Sequence, residues 1–416
     1  MEARFWSFAR TASTIGGGPQ VGASVKLRVH PILAMSDSSR RSVPVLLLVR
    51  ELGVGGTERQ LVETARFLQR ERFMPHVGCF RPDGPRCADL ERAGVPILYL
   101  PVHSLLSPVV FSGASRLIHY LHQHRIQVVH AFDAPMNIFA VPIAKLAGTP
   151  AVISSQRGHR DLTGDLNKRF LRITDRLTDA VVVNCFAMQR YLVDEEGVPG
   201  SKIRICRNAV DVELYRRHAV ASPWAGKPVI GVVCALRPEK GLDTLLRAFA
   251  KLSRQDTVLA IVGSGPEAPG LKTLAAELGI IERCHFEPAT SEVAEWLSRI
   301  DIFVLPSRTE ALSNSLMEAM ACGCGVIASR VGGNPELVDD GENGLLFDVD
   351  NVEQLAEQME ALLARPERRQ RLAAAASSKM SGGFTYSQAA ATMQEIYDSL
   401  LLRSRTKWHS AASSNV

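Results

Sequence analysis

The sequence predicts an α/β protein with two doubly wound parallel-sheet domains. From residue 43 onward, short β-branched or aliphatic runs alternate with helix-length amphipathic segments, as parallel sheets covered by helices require. The alternation breaks at residues 216–228, where two prolines and a glycine indicate a linker, and it restarts at Val229. The length of 416 residues fits two domains, since a domain takes roughly 100 to 200 residues.

The strand pattern sets the expected bounds of the two domains. In the first domain we expect strands at residues 44–50, 74–80, 96–100, 127–131, 150–155 and 180–184. In the second domain we expect strands at residues 229–233, 257–263, 283–287, 301–305, 325–329 and 345–347. Helical spacing continues over residues 386–402. The predicted parts are a disordered tail at 1–42, domains at 43–220 and 221–385, and a helix with a disordered tail at 386–416.

The first 42 residues differ from the rest of the chain. They contain three consecutive glycines, several serines and scattered basic residues with little periodicity, which favours disorder. A targeting peptide is an alternative, although the segment lacks a continuous apolar region. A second alternative is that translation starts at Met35. Detection of peptides from residues 1–34 by mass spectrometry would rule it out.

Bulk composition excludes several classes of protein. A hydrophobic share of 46% with 22% charged residues is typical of a folded globular chain, and no apolar run approaches the roughly 18 residues that span a bilayer. The net charge of +5 is too small over this length to indicate nucleic-acid binding, but it weakly favours phosphate-bearing ligands or an anionic membrane surface. Eight cysteines without paired CxxC spacing predict buried thiols in a reducing compartment. We therefore expect a cytoplasmic protein, at most peripheral to the inner face of the cytoplasmic membrane.

A strand-to-helix turn in the second domain carries the main candidate site. A buried strand ends at Pro306, and an apolar helix that contains Glu318 follows. Such a turn lies at the carboxyl edge of a parallel sheet, where a helix start offers free N–H groups to a diphosphate, and Ser313 or Asn314 can cap it. Glu318 is costly on an apolar helix unless it meets hydroxyls or a cation, and ribose hydroxyls fit. Taken alone, Glu310 or Glu318 is better explained as a surface or capping carboxylate.

The spacing of Glu310 and Glu318, with seven residues between them, resembles the signature of the retaining glycosyltransferases of sequence family four, which are group 1 glycosyl transferases with the GT-B fold. Other segments match in the same order: GVGGTE at 53–58, NAVD at 208–211, LRPEKG at 236–241, and VGGNPE at 331–336 followed by GENG at 341–344. The resemblance covers about residues 43–400. It implies two Rossmann-like domains facing a central cleft, with the donor on the second domain and most of the acceptor on the first.

The resemblance also implies roles for the donor-side residues. Lys240 places its ammonium on the β-phosphate, where it offsets the charge of the leaving nucleoside diphosphate. Glu310 contacts the donor sugar and Glu318 the ribose. The backbone of Gly55 and Gly56 approaches the diphosphate closely. Gly263 and Gly265 match the loop near the nucleoside base. A plain tight turn is the alternative for the Gly55–Gly56 segment, and a solvated lysine is the alternative for Lys240.

The sequence departs from the family pattern on both sides of the cleft. Ala235 stands where relatives have an arginine, and Arg237 is the candidate to supply that charge. Gln156 stands where relatives have a histidine, and Arg157 and His159 are the candidates to compensate.

His130 and Asp133 end a strand near the predicted cleft and complete the candidate acceptor-side set. The basic residues Arg157, Arg160, Lys168 and Arg169 either face a membrane-held acceptor or form a solvated face.

No metal or other cofactor is expected, because Lys240, Arg237 and the helix start supply positive potential. His119, His122 and His124 lack a matching carboxylate or cysteine pattern and predict a solvated helix, and Cys322 and Cys324 predict packing.

The predicted function is retaining transfer of a sugar from a nucleoside-diphosphate sugar to a glycan, glycolipid or other hydroxyl acceptor, in polysaccharide, lipid-linked glycan or glycolipid synthesis. Two alternatives remain open: a sugar-nucleotide epimerase of the same architecture, and a sugar-nucleotide-binding protein that has lost turnover, for which Ala235 and Gln156 are the motivation.

Overall fold

The computed structural model describes residues 42–224 and 226–413. The predicted disordered tail, with its alternatives of a targeting peptide and a start at Met35, lies outside the described residues except for residue 42. Residues 414–416 of the predicted C-terminal tail also lie outside them. None of the described helices combines the length and apolar character needed to cross a bilayer.

The first domain is built on a parallel sheet with the strand order β3-β2-β1-β4-β5-β6-β7. Its strands are β1 (Val43–Glu51), β2 (Phe73–Arg81), β3 (Ile97–Tyr99), β4 (Val128–Ala131), β5 (Ala151–Gln156), β6 (Ala180–Val183) and β7 (Ile203–Ile205). Its helices are α1 (Gly56–Phe67), α2 (Cys87–Arg92), α3 (Val109–Gln123), α4 (Ala134–Leu146), α5 (Asp165–Leu177) and α6 (Phe186–Asp194). Separate apolar cores on the two faces of this sheet hold the helices in place.

The second domain is built on a parallel sheet with the strand order β10-β9-β8-β11-β12-β13. Its strands are β8 (Val229–Val233), β9 (Val258–Val262), β10 (Cys284–Glu287), β11 (Ile302–Leu305), β12 (Gly325–Ser329) and β13 (Leu345–Phe347). Its helices are α7 (Leu242–Ala250), α8 (Ala268–Glu277), α9 (Val293–Arg299), α10 (Asn314–Ala321), α11 (Asn334–Leu337), α12 (Val352–Ala364) and α13 (Pro366–Gly383).

Every strand expected from the sequence is present, and the prediction of two parallel-sheet α/β domains is confirmed. One strand was missed, β7 at the edge of the first sheet. It has three residues with Arg204 at its centre, too short a run for alternation to distinguish it from a loop. The bounds 43–220 and 221–385 stay predictions.

The last helix, α14 (Tyr386–Ser413), returns from the second domain to the first. Met393, Tyr397 and Leu400 join the core beneath β1 and β4, and the Tyr397 hydroxyl lies 2.9 Å from Nδ1 of His130. The predicted end at residue 402 was too early, because neither glycine nor proline follows Leu402 to stop a helix. The chain therefore crosses between the domains a second time.

Each sheet changes winding direction at one point, between β1 and β4 in the first domain and between β8 and β11 in the second. Loops at the carboxyl ends of such strands are where doubly wound sheets bind ligands. The carboxyl edge of each sheet is therefore the expected location of a ligand site.

Candidate functional site

A cavity of about 590 Å³ lies between the strand-end loops of the two sheets. Its wall combines loops that follow β1, β5, β6 and β7 with loops that follow β8, β9, β10 and β11. The predicted site residues in the wall are Gly55, Gly56, Arg157, His159, Arg237, Lys240, Gly263, Glu310, Ser313, Asn314 and Glu318. The structure therefore brings together residues that lie up to 263 positions apart in sequence, from Gly55 to Glu318.

Lys240 and Glu310 form an ion pair in the second-domain wall. Lys240 ends a short 3-10 turn after β8, and Glu310 lies in the loop between β11 and α10. The Ser307 hydroxyl donates a second hydrogen bond to Glu310, at 2.9 Å. Burial lowers the pKa of Lys240, but the Glu310 charge and its hydrogen bond outweigh that and raise it above the ordinary value. The pair therefore holds a protonated ammonium at the cavity.

Helix α10 starts at the cavity. The Ser313 hydroxyl caps it by accepting a hydrogen bond from the Leu316 N–H at 3.4 Å, and Ser313, Asn314 and Ser315 all lie in the wall. The first turn of a helix has N–H groups without intrahelical partners and carries the positive end of its dipole. This end of α10 is suited to bind an anionic group.

Glu318 lies one turn into α10 and is 3% exposed. Arg59 of helix α1, in the first domain, forms an ion pair with it, and the same guanidinium group donates to the Tyr215 hydroxyl at 3.0 Å. Burial raises the pKa of Glu318, and the Arg59 charge opposes that shift. This ion pair joins the two domains at the cavity wall.

A polar network beside this pair also joins the domains. Gln60 Nε2 donates to Asn314 Oδ1 at 3.1 Å, and Asn208 Nδ2 donates to the same oxygen at 3.1 Å and to the Leu312 carbonyl at 3.0 Å. Gly56 packs so closely that a Cβ there would lie 2.2 Å from Asn314 Nδ2. A side chain at position 56 would therefore displace the Asn314 amide from this network.

The glycines of the 331–336 segment lie behind the wall. Gly332 has a φ of +51°, and a Cβ there would lie 1.8 Å from the Glu310 carbonyl oxygen. The Gly333 N–H donates to the Ala311 carbonyl at 2.6 Å. This segment therefore supports the loop that presents Glu310.

Gly263 lies in the wall, but Gly265 does not. Gly265 instead packs against the backbone of Leu236, which would lie 2.2 Å from a Cβ at that position. Gly265 thus packs behind the loop that carries Gly263, and its predicted place near the base stays a prediction.

Ala235 and Arg237 both line the cavity. The Arg237 side chain is 62% exposed, and its guanidinium is 3.9 Å from Glu239. Position 235 therefore presents only a methyl group to the cavity, with an exposed arginine two residues away.

Arg157 lies on the first-domain side of the wall. It donates to Asn208 Oδ1 at 2.7 Å and lies over the Phe132 ring at 5.0 Å from the centroid, while its Nε has no hydrogen-bond partner. Burial lowers its pKa. The neighbouring wall residue His159 packs its ring on Tyr191, with centroids 4.5 Å apart.

Three predicted acceptor-side residues do not line the cavity. His130 is fully buried between the Tyr397 hydroxyl and the Ser155 hydroxyl, 2.9 and 2.8 Å from its ring nitrogens, and burial together with the Arg157 charge lowers its pKa well below the ordinary value. Asp133 caps α4 by accepting from the Met136 N–H at 2.9 Å and also accepts from the Arg50 N–H at 2.7 Å.

Gln156 is the third of these residues. It donates to the Gly158 carbonyl at 2.6 Å and accepts from Arg160 at 3.3 Å. All three side chains are used to hold the first domain together, which corrects their predicted place on the cleft.

Sequence reasoning missed several wall residues, among them Arg59, Gln60 and Asn184. Asn184 directly follows β6, is 2% exposed, and its Oδ1 has no hydrogen-bond partner. Its place at the end of a parallel strand was the signal that could have found it. No comparable signal marks Arg59, because the direction of a side chain on a helix depends on how the helix packs.

The structure also places the histidines and cysteines that the sequence singled out. Within the described residues, no group of three or more histidine, cysteine, aspartate or glutamate side chains is placed to hold a metal ion. His119 and His122 are exposed on α3, and Cys322 and Cys324 are buried in the core shared by the two domains.

Comparisons with known proteins identify relatives. The family model for glycosyl transferases group 1 matches residues 217–379, and that for glycosyltransferase family 4 matches residues 54–214. A GDP-mannose-dependent α-(1-6)-phosphatidylinositol monomannoside mannosyltransferase of Mycolicibacterium smegmatis is 31% identical over 305 residues, which cover 67% of this chain and 77% of that enzyme. A D-inositol 3-phosphate glycosyltransferase of Thermomonospora curvata is 34% identical over 223 residues, which cover 48% of this chain and 52% of that enzyme.

Solved structures match the fold. The complex of Anabaena HepE with UDP has a TM-score of 0.74 at 22% identity and covers 86% of this chain and 100% of that one. Sucrose-phosphate synthase of Thermosynechococcus elongatus has a TM-score of 0.73 at 18% identity, with 87% and 100% covered. The predicted GT-B architecture is confirmed.

Proposed function

The chain belongs to the group 1 glycosyltransferases of the GT-B fold and uses a nucleotide sugar, and from that premise we propose that it transfers the sugar of a nucleoside-diphosphate donor to a hydroxyl acceptor with retention of configuration. The observation that carries the proposal is the convergence of Lys240, Glu310, Glu318 and the start of α10 on one cavity. A cation and a helix start can bind the diphosphate of a nucleotide sugar, and the two carboxylates can accept hydrogen bonds from its ribose and its donor sugar.

In the proposed donor complex, the Lys240 ammonium and the α10 start bind the diphosphate. Their positive potential stabilises the charge that develops on the leaving group, an effect that is strong in a partly enclosed site. Glu310 accepts hydrogen bonds from donor sugar hydroxyls, and Glu318 accepts them from the ribose. Gly55, Gly56 and Gly263 border the bound donor, and Arg237 supplies a second charge in place of the arginine absent at 235.

The absence of a carboxylate from the part of the acceptor side that the structure describes supports transfer with retention of configuration. Within the described residues, the first-domain part of the wall holds no carboxylate, and its imidazole, that of His159, packs on the Tyr191 ring. The leaving diphosphate is then the base that accepts the acceptor's proton on the same face of the sugar. Arg157 and His159, together with Asn184, orient the acceptor in this proposal.

The acceptor proposed is a glycan or glycolipid hydroxyl, in synthesis of polysaccharide, lipid-linked glycan or glycolipid. The relative from Mycolicibacterium smegmatis, named for a phosphatidylinositol monomannoside substrate, supports a lipid-linked acceptor. We place the protein in the cytoplasm, at the inner face of the membrane where such acceptors are held. We propose that no metal ion takes part.

A thermal-shift screen over nucleoside diphosphates and their sugars tests the donor. A ligand that binds the folded state raises the unfolding temperature by mass action, so the UDP, GDP, ADP, CDP and TDP series should contain one clear stabiliser. The matching sugar nucleotide is then incubated with candidate hydroxyl acceptors, and products are separated by chromatography.

Three outcomes of that assay would contradict the proposal. Isomerised sugar nucleotide without an acceptor would indicate an epimerase. Stabilisation by a donor that is neither transferred nor hydrolysed would indicate a binding protein. A product of inverted configuration would exclude the retaining mechanism.

A further inference from the structure

Helix α5 exposes a row of large apolar side chains. Leu166, Phe170, Ile173 and Leu177 are 55%, 41%, 50% and 40% exposed. Their spacing of four, three and four residues places them along one side of the helix. We name these four residues the apolar row.

The apolar row is separate from the face that α5 uses for folding. The helix packs on the domain through Leu171, Thr174 and Asp175, all of them buried. The row lies outside that buried set, since 40–55% of each of its residues is exposed. A contiguous exposed apolar patch on a soluble domain marks an interaction surface.

Arginines border the apolar row on one side. Arg169, Arg172 and Arg176 recur at three- and four-residue spacing, and all three are exposed. Arg172 pairs with Glu196 at 3.0 Å, whereas Arg169 and Arg176 have no ion pair among the described residues. An arginine flank beside an apolar row is the arrangement of helices that lie in a membrane interface.

Three of the four basic residues singled out in the sequence lie outside this surface. Arg160 is 1% exposed and pairs with Asp175 and Glu196. Lys168 pairs with Asp161 at 2.8 Å, and Arg157 lies in the cavity wall. Only Arg169 of that set belongs to the arginine flank.

We propose that α5 docks the protein on an anionic lipid surface, with the apolar row in the head-group boundary and the arginine flank on lipid phosphates. Burial of apolar area and attraction of arginine to anionic lipids both stabilise such a contact. The positive charge of the arginine flank favours an anionic lipid surface over a basic partner. Residues 1–41 contain six Lys or Arg against two Asp or Glu, so the tail carries the same sign as the flank.

This inference rests on the proposed function for its purpose. The loop after β5 carries Arg157 and His159 in the cavity wall, and α5 begins at Asp165 directly after that loop. A membrane bound at α5 would therefore lie next to the acceptor side of the cavity. A lipid-linked acceptor could then reach the cavity without leaving the bilayer.

The test is sedimentation of the full-length protein with vesicles of phosphatidylcholine, with and without phosphatidylglycerol. We expect binding only to the anionic vesicles and a loss of binding as salt is raised. Each arginine near an anionic surface contributes about fivefold, so Arg169→Glu/Arg176→Glu should weaken binding by about 30-fold or more. Phe170→Ser/Ile173→Ser should weaken it by at least about tenfold.

Matched variants control for general loss of charge or apolar surface. Arg365→Glu/Arg371→Glu changes two exposed arginines of the second domain, and Leu402→Ser changes a leucine that is 63% exposed on α14. Both should bind vesicles as the unchanged protein does. Circular dichroism confirms that each variant is folded.

The proposal is overturned if the unchanged protein does not sediment with anionic vesicles, or if the α5 variants sediment as well as the controls. It is also overturned if the α5 variants lose self-association in place of vesicle binding. The donor thermal shift should be the same in all these variants, because the apolar row is outside the cavity wall. Failure of the docking proposal and failure of the proposed function are thus distinguishable.

Discussion

The two sides of the cavity differ in how well their residues followed from the sequence. On the second-domain side, Lys240, Glu310 and Glu318 all lie in the wall as expected. On the first-domain side, His130, Asp133 and Gln156 turn away from it and hold the domain together. The first-domain wall is formed instead by Arg59, Arg157 and Asn184, among others.

The two sides differ because some of these residues lie within a strand and others lie in the loop that follows it. A loop that starts a helix after a parallel strand has its backbone fixed at the sheet edge, where its side chains either face the cavity, as Lys240 does, or cap the helix, as Asp133 does. A residue within a strand points to one face or the other in alternation. His130 belongs to β4 itself and points into the core, whereas Asn184 directly follows β6 and points into the cavity.

The largest expected effect comes from removing the cation on the donor side. Lys240→Met should lower kcat/KM for transfer by about 100- to 1000-fold, because a preorganised charge on the leaving diphosphate is lost. Steady-state kinetics with the donor from the screen measures this. Lys251→Met is the control, since Lys251 is on the surface, paired with Glu353 at 3.1 Å, and outside the wall. A loss of less than tenfold in Lys240→Met would show that the donor side is misassigned.

A smaller effect is expected at the ribose carboxylate. Glu318→Gln should weaken nucleoside diphosphate binding by about tenfold, because a charged acceptor for ribose hydroxyls becomes neutral. Calorimetric titration gives the Kd. Glu336→Gln is a matched control, because Glu336 also bridges the domains, through the Ala187 N–H at 2.9 Å, but lies outside the wall.

Both substitutions should lower stability, and only Glu318→Gln should change the Kd. Equal changes in Kd would mean that Glu318 acts through domain contact, not through the ribose.

The pH dependence of stability tests whether His130 is buried in the first domain. Burial keeps this histidine neutral in the folded protein, whereas the unfolded chain protonates it below about pH 6.5. The unfolded state then binds more protons, so stability should fall as the pH drops below that value, by about 1.4 kcal/mol per pH unit for this residue.

His130→Gln should remove that contribution without changing donor affinity. Urea unfolding of both proteins above and below pH 6.5 checks it, because their difference in unfolding free energy should shrink as the pH falls. If the difference in unfolding free energy stayed constant with pH, or if the donor Kd changed greatly, His130 would be a cleft residue after all.

The smallest expected effect is that of chelation. EDTA should leave the transfer rate unchanged, since Lys240 and the α10 start supply the positive potential in this proposal. Loss of activity in EDTA that is restored by Mg²⁺ or Mn²⁺ would show that the donor side needs a metal.

Most of the fold and the donor side of the site were predictable from sequence, for physical reasons. Parallel strands buried on both faces give continuous apolar runs, and only β7, with Arg204 at its centre, was too short to show one. The ordered motifs located Lys240, Glu310 and Glu318. The ion pair of Arg59 with Glu318 was not predictable, because it depends on how closely the two domains approach each other.

The side of a helix that stays exposed was also beyond the sequence. The apolar row of α5 has the spacing of a buried face, and only the observed packing through Leu171 and Thr174 shows that it is outside the core. Similarly, Arg160 and Arg169 look alike as basic residues, but one is buried in an ion-pair cluster and the other is exposed.

The central claim is that the donor diphosphate binds at Lys240 and the start of α10. The most direct test is a crystal structure with the nucleoside diphosphate that the thermal-shift screen selects. We predict that a β-phosphate oxygen lies about 3 Å from Lys240 Nζ and that the ribose hydroxyls contact Glu318. A diphosphate bound at Arg157 on the first-domain side, with Lys240 still paired only with Glu310, would contradict the account.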